Sequence, residues 1–228
     1  ILTLLPEKST ASPLIFLSAK RLSKKYGAKL IFDVRDIWPL VMVELGGYSI
    51  KNPFIQLMQW IEDRAYRESD FVSSTMPYAI DHMTAHGLDP NKFIWVPNGF
   101  DREELSNKDE IEDHISLQIP KNKFVVGYVG SIGLANALSI LLKTAKLLKI
   151  DTSIVFVIVG KGADLNSLKL KVEFSNLKNV VFIDPVSKQQ VQSVIQCFDV
   201  CYIGWLKKLG YKFGTSPQKL PEYLFSGK

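Results

Sequence analysis

Seven short runs rich in Val, Ile and Phe recur along this chain, and helical patterns fill the spaces between them. The runs are 29–34, 70–75, 92–97, 123–130, 153–160, 179–184 and 198–204. They show little polar alternation, as parallel strands covered on both faces do. Helical spacing falls at about 13–26, 53–68, 77–87, 135–149, 163–175, 188–196 and 217–226. Strand and helix in strict turn predict an α/β fold with open parallel sheets. The acidic stretch 101–122 breaks the alternation and reads as a connector with one short helix. The expected organisation is therefore a first α/β unit over 1–100, a connector over 101–120 and a second α/β unit over 121–228. No internal repeat of 20–50 residues and no low-complexity tract interrupts it.

Charge is distributed unevenly between these parts. Residues 1–100 carry 11 basic and 10 acidic side chains, 101–120 carry 2 and 7, and 121–228 carry 15 and 6. A basic second unit suits a phosphate ester or an anionic membrane face, and equally a lysine-rich solvated surface. Nothing in the pattern points to nucleic acid. With 46% hydrophobic and 22% charged residues, the balance is that of a globular protein. No apolar run reaches eighteen residues, so no spanning helix is expected. The chain opens on Ile1 with no basic leader, which reads as a fragment of a longer protein. Cys197 and Cys201 form no disulfide framework and no common zinc pattern; both read as buried thiols in a reducing cytosol. His82 and His86, four apart on one helix, lack a third ligand and read as a surface or core pair. No metal is expected.

Candidate site residues cluster at strand ends, where α/β sheets build their sites. "FVVGYVGSIGLANAL" ends a buried strand at Gly130 and turns at Ser131–Gly133 before a helix near Ala135. Small residues at Gly130 and Gly133 would let amides approach an oxyanion, with a helix dipole behind them. The pattern alone also fits a tight turn, and it lacks the dinucleotide fingerprint. "VGKG" places Gly160 and Gly162 around Lys161 at a second strand end. In "GTSPQKLPEYL", Thr215 and Ser216 before Pro217 predict a helix start, with Lys219 one turn in and Glu222 in the second turn. The amides and hydroxyls there could hold a diphosphate, and Glu222 could accept from vicinal hydroxyls. A solvated helix explains the same residues. In the first unit "FDVRDIWP" ends a strand in Asp33, Arg35 and Asp36, which suits a site or an Arg–Asp pair tying a loop. The helix over 52–70 presents Phe54, Leu57, Met58, Ile61 and Ala65 to a core. Membrane contact by Ile55 and Trp60, with Arg21, Lys24 and Lys25, is the alternative.

Six segments in this order resemble the retaining family 4 glycosyltransferases of the GT-B fold. They are "DVRDIWP", "VPNGFD", "GYVGSIGLANAL", "VGKG", "FIDPVSKQQVQSVIQCFDV" and "GTSPQKLPEYLFSGK". "VRDIWP" and "SPQKLPEYLFSGK" resemble the branch that builds O-antigen and capsule, including N-acetyl-L-fucosamine transferases. The resemblance implies two Rossmann-like units, each incomplete here, since family members extend further at both ends. It implies a nucleotide-sugar donor, UDP-linked, a lipid-linked or saccharide acceptor, and no cofactor. It also implies a cytoplasmic enzyme, in peripheral contact with the inner face of the plasma membrane. Gly130 and Gly133 would approach the donor phosphates, and Gly160 would line the same donor site. Pro185 and Val186 would bracket the base, Thr215 and Ser216 amides would hold the diphosphate, and Glu222 would bind ribose. Arg35 and Asp36 would lie near the acceptor. This sequence departs from the family at Gly214, where many members carry Glu, and at Arg35, where many carry His. In the glycine loop, Ser131 and Asn136 stand in place of a basic pair. That leaves Lys219, Lys207 or Lys208 to neutralise the diphosphate. A nucleotide- or saccharide-binding module without turnover, and a nucleotide-sugar epimerase, are the competing readings.

Overall fold

A computed structural model describes residues 13–106, 108–206 and 212–228. Among the described residues two compact units emerge: one takes in 13–98 and 212–216, the other 99–106, 108–206 and 217–228. The stretch 212–216 thus groups with the first unit, whereas the expected second unit ran over 121–228.

In the first unit, β1 (Ile31–Val34), β2 (Phe71–Ser74) and β3 (Phe93–Trp95) form a parallel sheet in that order. The register pairs Val34 with Ser74 and Ser74 with Trp95, which brings the three C-terminal ends level. Helices α1 (Ile15–Tyr26), α3 (Pro53–Glu68) and α4 (Ala79–Ala85) accompany it. Local chemistry sets their limits. Gly27 ends α1 in the left-handed region, and the Asn52 side chain accepts the Phe54 N–H ahead of Pro53 at the start of α3. The core joins Val34, Tyr66, Val72 and Met83 with Phe213, which arrives from the far end of the sequence. Helix α2 (Trp38–Glu44) was not expected. Pro39 stands at its opening turn, where proline is compatible with helix.

The second unit has the strand order β6-β5-β4-β7, all parallel. Its strands are β4 (Phe124–Val129), β5 (Ile154–Val159), β6 (Val180–Ile183) and β7 (Val200–Cys201). One face packs Val125, Val157, Ile195 and Phe198; the other packs Tyr128, Leu141, Phe156 and Ile158. Helices α7 (Leu138–Leu147), α8 (Leu165–Phe174), α9 (Lys188–Gln196) and α10 (Lys219–Phe225) complete the unit. Ser187 and Gln190 form a reciprocal cap at the start of α9.

The acidic connector is not a free linker. It holds two short helices, α5 (Arg102–Ser106) and α6 (Asp113–Ser116), and buries Ile115 and Ile119 in the second core. Ser193 donates to Asp109 O at 2.6 Å, and Gln190 Nε2 to Glu110 O at 3.2 Å. Cys197, expected to be buried, is exposed at the end of α9, and Cys201 is half-buried.

Candidate functional site

The register sets Val129, Val159 and Ile183 side by side, so the loops after β4, β5 and β6 leave the sheet together. They line a cleft of about 250 Å³ that includes Gly130, Gly160, Lys161, Pro185 and Val186. Gly130 and Gly160 both adopt φ near +140°, and a Cβ on Gly160 would meet Gly130 O at 2.0 Å. Only glycine fits either place without strain. Their amides are already engaged, Gly130 N–H on Val159 O and Gly160 N–H on Ile183 O, each at 3.0 Å. At these two positions, then, the missing side chain makes room for Lys219 and for Gly130 O, and neither N–H is free.

Gly133 differs. Its backbone is extended at φ −144°, and a Cβ there would meet nothing within 4 Å. The helix expected at 135 is displaced by a tight turn over Leu134–Asn136, and α7 starts at Leu138. Side chains brace this loop. Tyr128 Oη donates to Ser131 O at 2.5 Å, Asn136 Nδ2 to the same oxygen at 3.0 Å, and Tyr202 Oη to Ala137 O at 2.9 Å.

Helix α10 is moored to β4 by Tyr223, whose hydroxyl accepts the Val129 N–H at 3.2 Å. Lys219 opens the helix and reaches the glycine loop. Its Nζ lies 3.4 Å from Asn136 Oδ1 and 5.2 Å from the Tyr128 ring centroid. Burial pulls its pKa below the ordinary lysine value, while nearby Glu222 works in the opposite direction. One turn later Glu222 shares a small hollow with Glu104, Lys188 and Val191, and Val191 also lines the larger cleft. Burial pushes the Glu222 carboxyl up; Lys188 and Lys219 hold it down. Lys188 also pairs with Glu104 of α5 at 2.5 Å. Tyr128, Lys188 and Glu104 escaped the sequence reading because only tertiary packing brings them to α10. Lys207 and Lys208 lie outside the described residues.

The capping role expected of Thr215, Ser216 and Pro217 is not seen. The residue before α10 is Gln218, without a side-chain cap. Ser216 is occupied within the first unit: its hydroxyl accepts Asn98 N–H at 2.9 Å, and Asn98 Nδ2 donates to its carbonyl. Thr215 is exposed. Gly214 sits at φ +90°, with Pro77 Cδ 2.7 Å from where a Cβ would stand. A glutamate at this position would be strained.

At the ends of the first unit's strands, Arg35 Nη2 donates to Asn98 Oδ1 at 3.4 Å, and its Nε lies 3.7 Å from Asp33. Ser73 in turn donates to Asp33 at 2.7 Å. Burial raises the Asp36 pKa, with the Arg35 charge opposing it. Arg35, Asp36, Asn98 and Ser216 thus share this end of the unit. His82 and His86 stack at 4.4 Å, and His86 Nδ1 is 2.9 Å from Asp63. Among the described residues no group of His, Cys, Asp and Glu is placed to hold a metal ion. No described helix is long and apolar enough to cross a membrane.

Comparison with known proteins bears on this geometry. Residues 109–204 match the family model "Glycosyl transferases group 1". Over 214 residues the chain is 24% identical to WcaI of Escherichia coli (strain K12), named as a glycosyl transferase of colanic acid biosynthesis. That alignment covers 90% of this chain and 51% of WcaI, so the chain spans about half the length of the curated relative it matches. Among solved structures, HepE of Anabaena in complex with UDP superposes with a TM-score of 0.70 at 15% identity, over 95% of this chain and 56% of HepE. WaaG, titled a glycosyltransferase involved in lipopolysaccharide biosynthesis, gives 0.67 at 12% identity, over 97% of this chain and 65% of WaaG. Residues 109–204, most of the second unit, are thus similar to the glycosyl transferases group 1, and the fold of the chain is that of the GT-B glycosyltransferases.

Proposed function

We propose that this chain is part of a retaining glycosyltransferase. It would move a hexosyl or N-acetylhexosaminyl group from a UDP-linked donor to a lipid-linked or saccharide acceptor, at the inner face of the plasma membrane. The placement of Lys219 carries the reading. A half-buried ammonium lies against Gly130, beside the cleft formed by the Gly130, Gly160 and Pro185 loops. A cation beside side-chain-free backbone suits a diphosphate. The solved relatives support UDP as the nucleotide, since HepE has been crystallised with UDP and with UDP-glucose. The names of WcaI and WaaG, which speak of colanic acid and lipopolysaccharide biosynthesis, support a role in polysaccharide synthesis, and the sequence resemblance supports the O-antigen and capsule branch.

In this reading the diphosphate rests against Gly130 and Gly133 under the Lys219 charge. The base lies against Pro185 and Val186, and Glu222 accepts from the ribose hydroxyls. Arg35 and Asp36 serve the acceptor. The bond from the anomeric carbon to the phosphate oxygen breaks as the acceptor oxygen arrives on the same face. The departing diphosphate takes the acceptor proton. Charge grows on the leaving group, so Lys219 stabilises the transition state more than the ground state. Calorimetry with UDP on this chain, and a donor-hydrolysis assay on the full-length protein, test the reading. Saturable UDP binding with slow UDP-sugar hydrolysis is expected. Binding without hydrolysis would indicate a binding module, isomerisation of free UDP-sugar an epimerase, and absence of UDP binding would overturn the reading.

A further inference from the structure

On the first unit, α2, α3 and α4 surround a second cleft, of about 470 Å³, with no contribution from Arg35 or Asp36. Small-molecule sites span roughly 300–1,000 Å³, so this cleft has the size of one. One wall is apolar, made by Leu40, Val43, Ile55 and the ring of Trp60. Trp60 is 49% exposed, and the Arg64 guanidinium lies 5.4 Å from its ring centroid, a cation–π contact that steadies it. Polar groups from α3 and α4 line the cleft as well. Gln59 Nε2 donates to Asp63 Oδ1 at 2.7 Å, and His86 Nδ1 approaches the same oxygen at 2.9 Å. His82 also lines the cleft, and among the described residues its buried Nε2 has no hydrogen-bond partner. Buried polar atoms normally have one, so His82 keeps unused hydrogen-bonding capacity beside the cleft.

This polar lining carries no surplus positive charge. Burial chiefly, with His86 and Lys212 adding, pushes His82 down to about 4, so its ring is neutral at pH 7. Glu62, which Gln59 also touches, is pushed up to about 8 by burial and is mostly protonated there. Such a lining does not attract a phosphate. It offers donors and acceptors to hydroxyls, while Trp60 offers a flat apolar face to carbon–hydrogen groups. A pyranose ring presents both kinds of surface at once.

We propose that this cleft binds an uncharged saccharide, one or two pyranose rings of the glycan that serves as acceptor. The word acceptor rests on the transferase reading; saccharide binding does not. The test exposes this chain to an array of neutral and anionic bacterial glycans, then titrates neutral hits against tryptophan fluorescence. Neutral glycans should be retained with saturable binding. Trp60→Ala should weaken it at least tenfold, and Val43→Trp, which fills the cleft, should abolish it. Both variants should keep the UDP affinity and the circular dichroism of the parent. Three results would overturn the proposal: no neutral glycan retained, retention that survives both substitutions, or a Val43→Trp-sensitive retention on phosphatidylglycerol vesicles in place of glycans. Glycan retention by a chain that fails to bind UDP would remove the transferase reading and leave the saccharide site standing.

Discussion

Lys219 passes over Gly130 so closely that a Cβ added at residue 130 would stand 2.4 Å from its Cε. The glycine and the lysine are separated by most of the second unit's sequence, yet each limits the other. Gly130→Ala therefore adds two faults at once, a side chain at φ +140° and a displaced lysine. We expect a loss of about 1–3 kcal/mol in folding stability, read from the urea midpoint, together with weaker UDP binding. Gly133→Ala, with open space around the new methyl, should keep the midpoint.

Lys219→Ala should weaken UDP binding by roughly 10–100-fold, since hydrogen bonds to charged groups contribute about 1.5–3 kcal/mol. Lys219→Arg should retain most of the affinity. The pH profile separates charge from shape. Burial favours the neutral amine, so the wild type should lose UDP affinity on the alkaline side earlier than an exposed lysine would. Arginine stays charged, so Lys219→Arg should flatten that decline. Calorimetry at a series of alkaline pH values reads both effects.

Glu222→Ala should reduce UDP affinity more than tenfold and leave inorganic diphosphate binding unchanged, because the carboxylate is assigned to the ribose. Equal losses for both ligands would show instead that Glu222 acts through Lys219. Competition calorimetry distinguishes the two results.

Glu62 is 1% exposed in the first unit, and burial raises its pKa to about 8 from 4.5. Its folded-state value lies above its unfolded one, so the native state holds the proton more tightly. The associated stability is complete below about pH 4.5 and is lost as pH rises through about 8. Glu62→Gln removes the cost of ionising in place and should raise the unfolding temperature at pH 8.5 relative to the parent. The comparison belongs above pH 7, where His82, with its pKa near 4, no longer changes charge in the folded state. Thermal unfolding at pH 7.5 and 8.5 measures it.

Much of the architecture was legible because buried parallel strands write themselves as apolar runs: "KFVVGYVG" contains β4 and "SIVFVIVG" contains β5. The strand-end glycines were legible for the same reason, each marking where an apolar run stops. Helix α2 was hidden by Trp38–Pro39, since a proline signals a break or a first turn equally well. The capping role given to Ser216 failed because Asn98, over a hundred residues away, claims its hydroxyl and its carbonyl. Local propensity carries no record of such a partner. The bracing of Lys219 by Tyr128 and Asn136 was equally invisible, being a product of how α10 docks on β4.

The division of the chain sets a limit on dissection. Phe213, 5% exposed, completes a core in the first unit whose other members all come from before residue 99. A gene fragment stopping at Asn98 would express a sheet with a hole where that ring belongs. One starting at Gly99 would carry the ring as a sticky, homeless side chain. Anyone wishing to study the halves separately would need a circular permutant or a spliced insert, because no single scissor cut yields either of them intact.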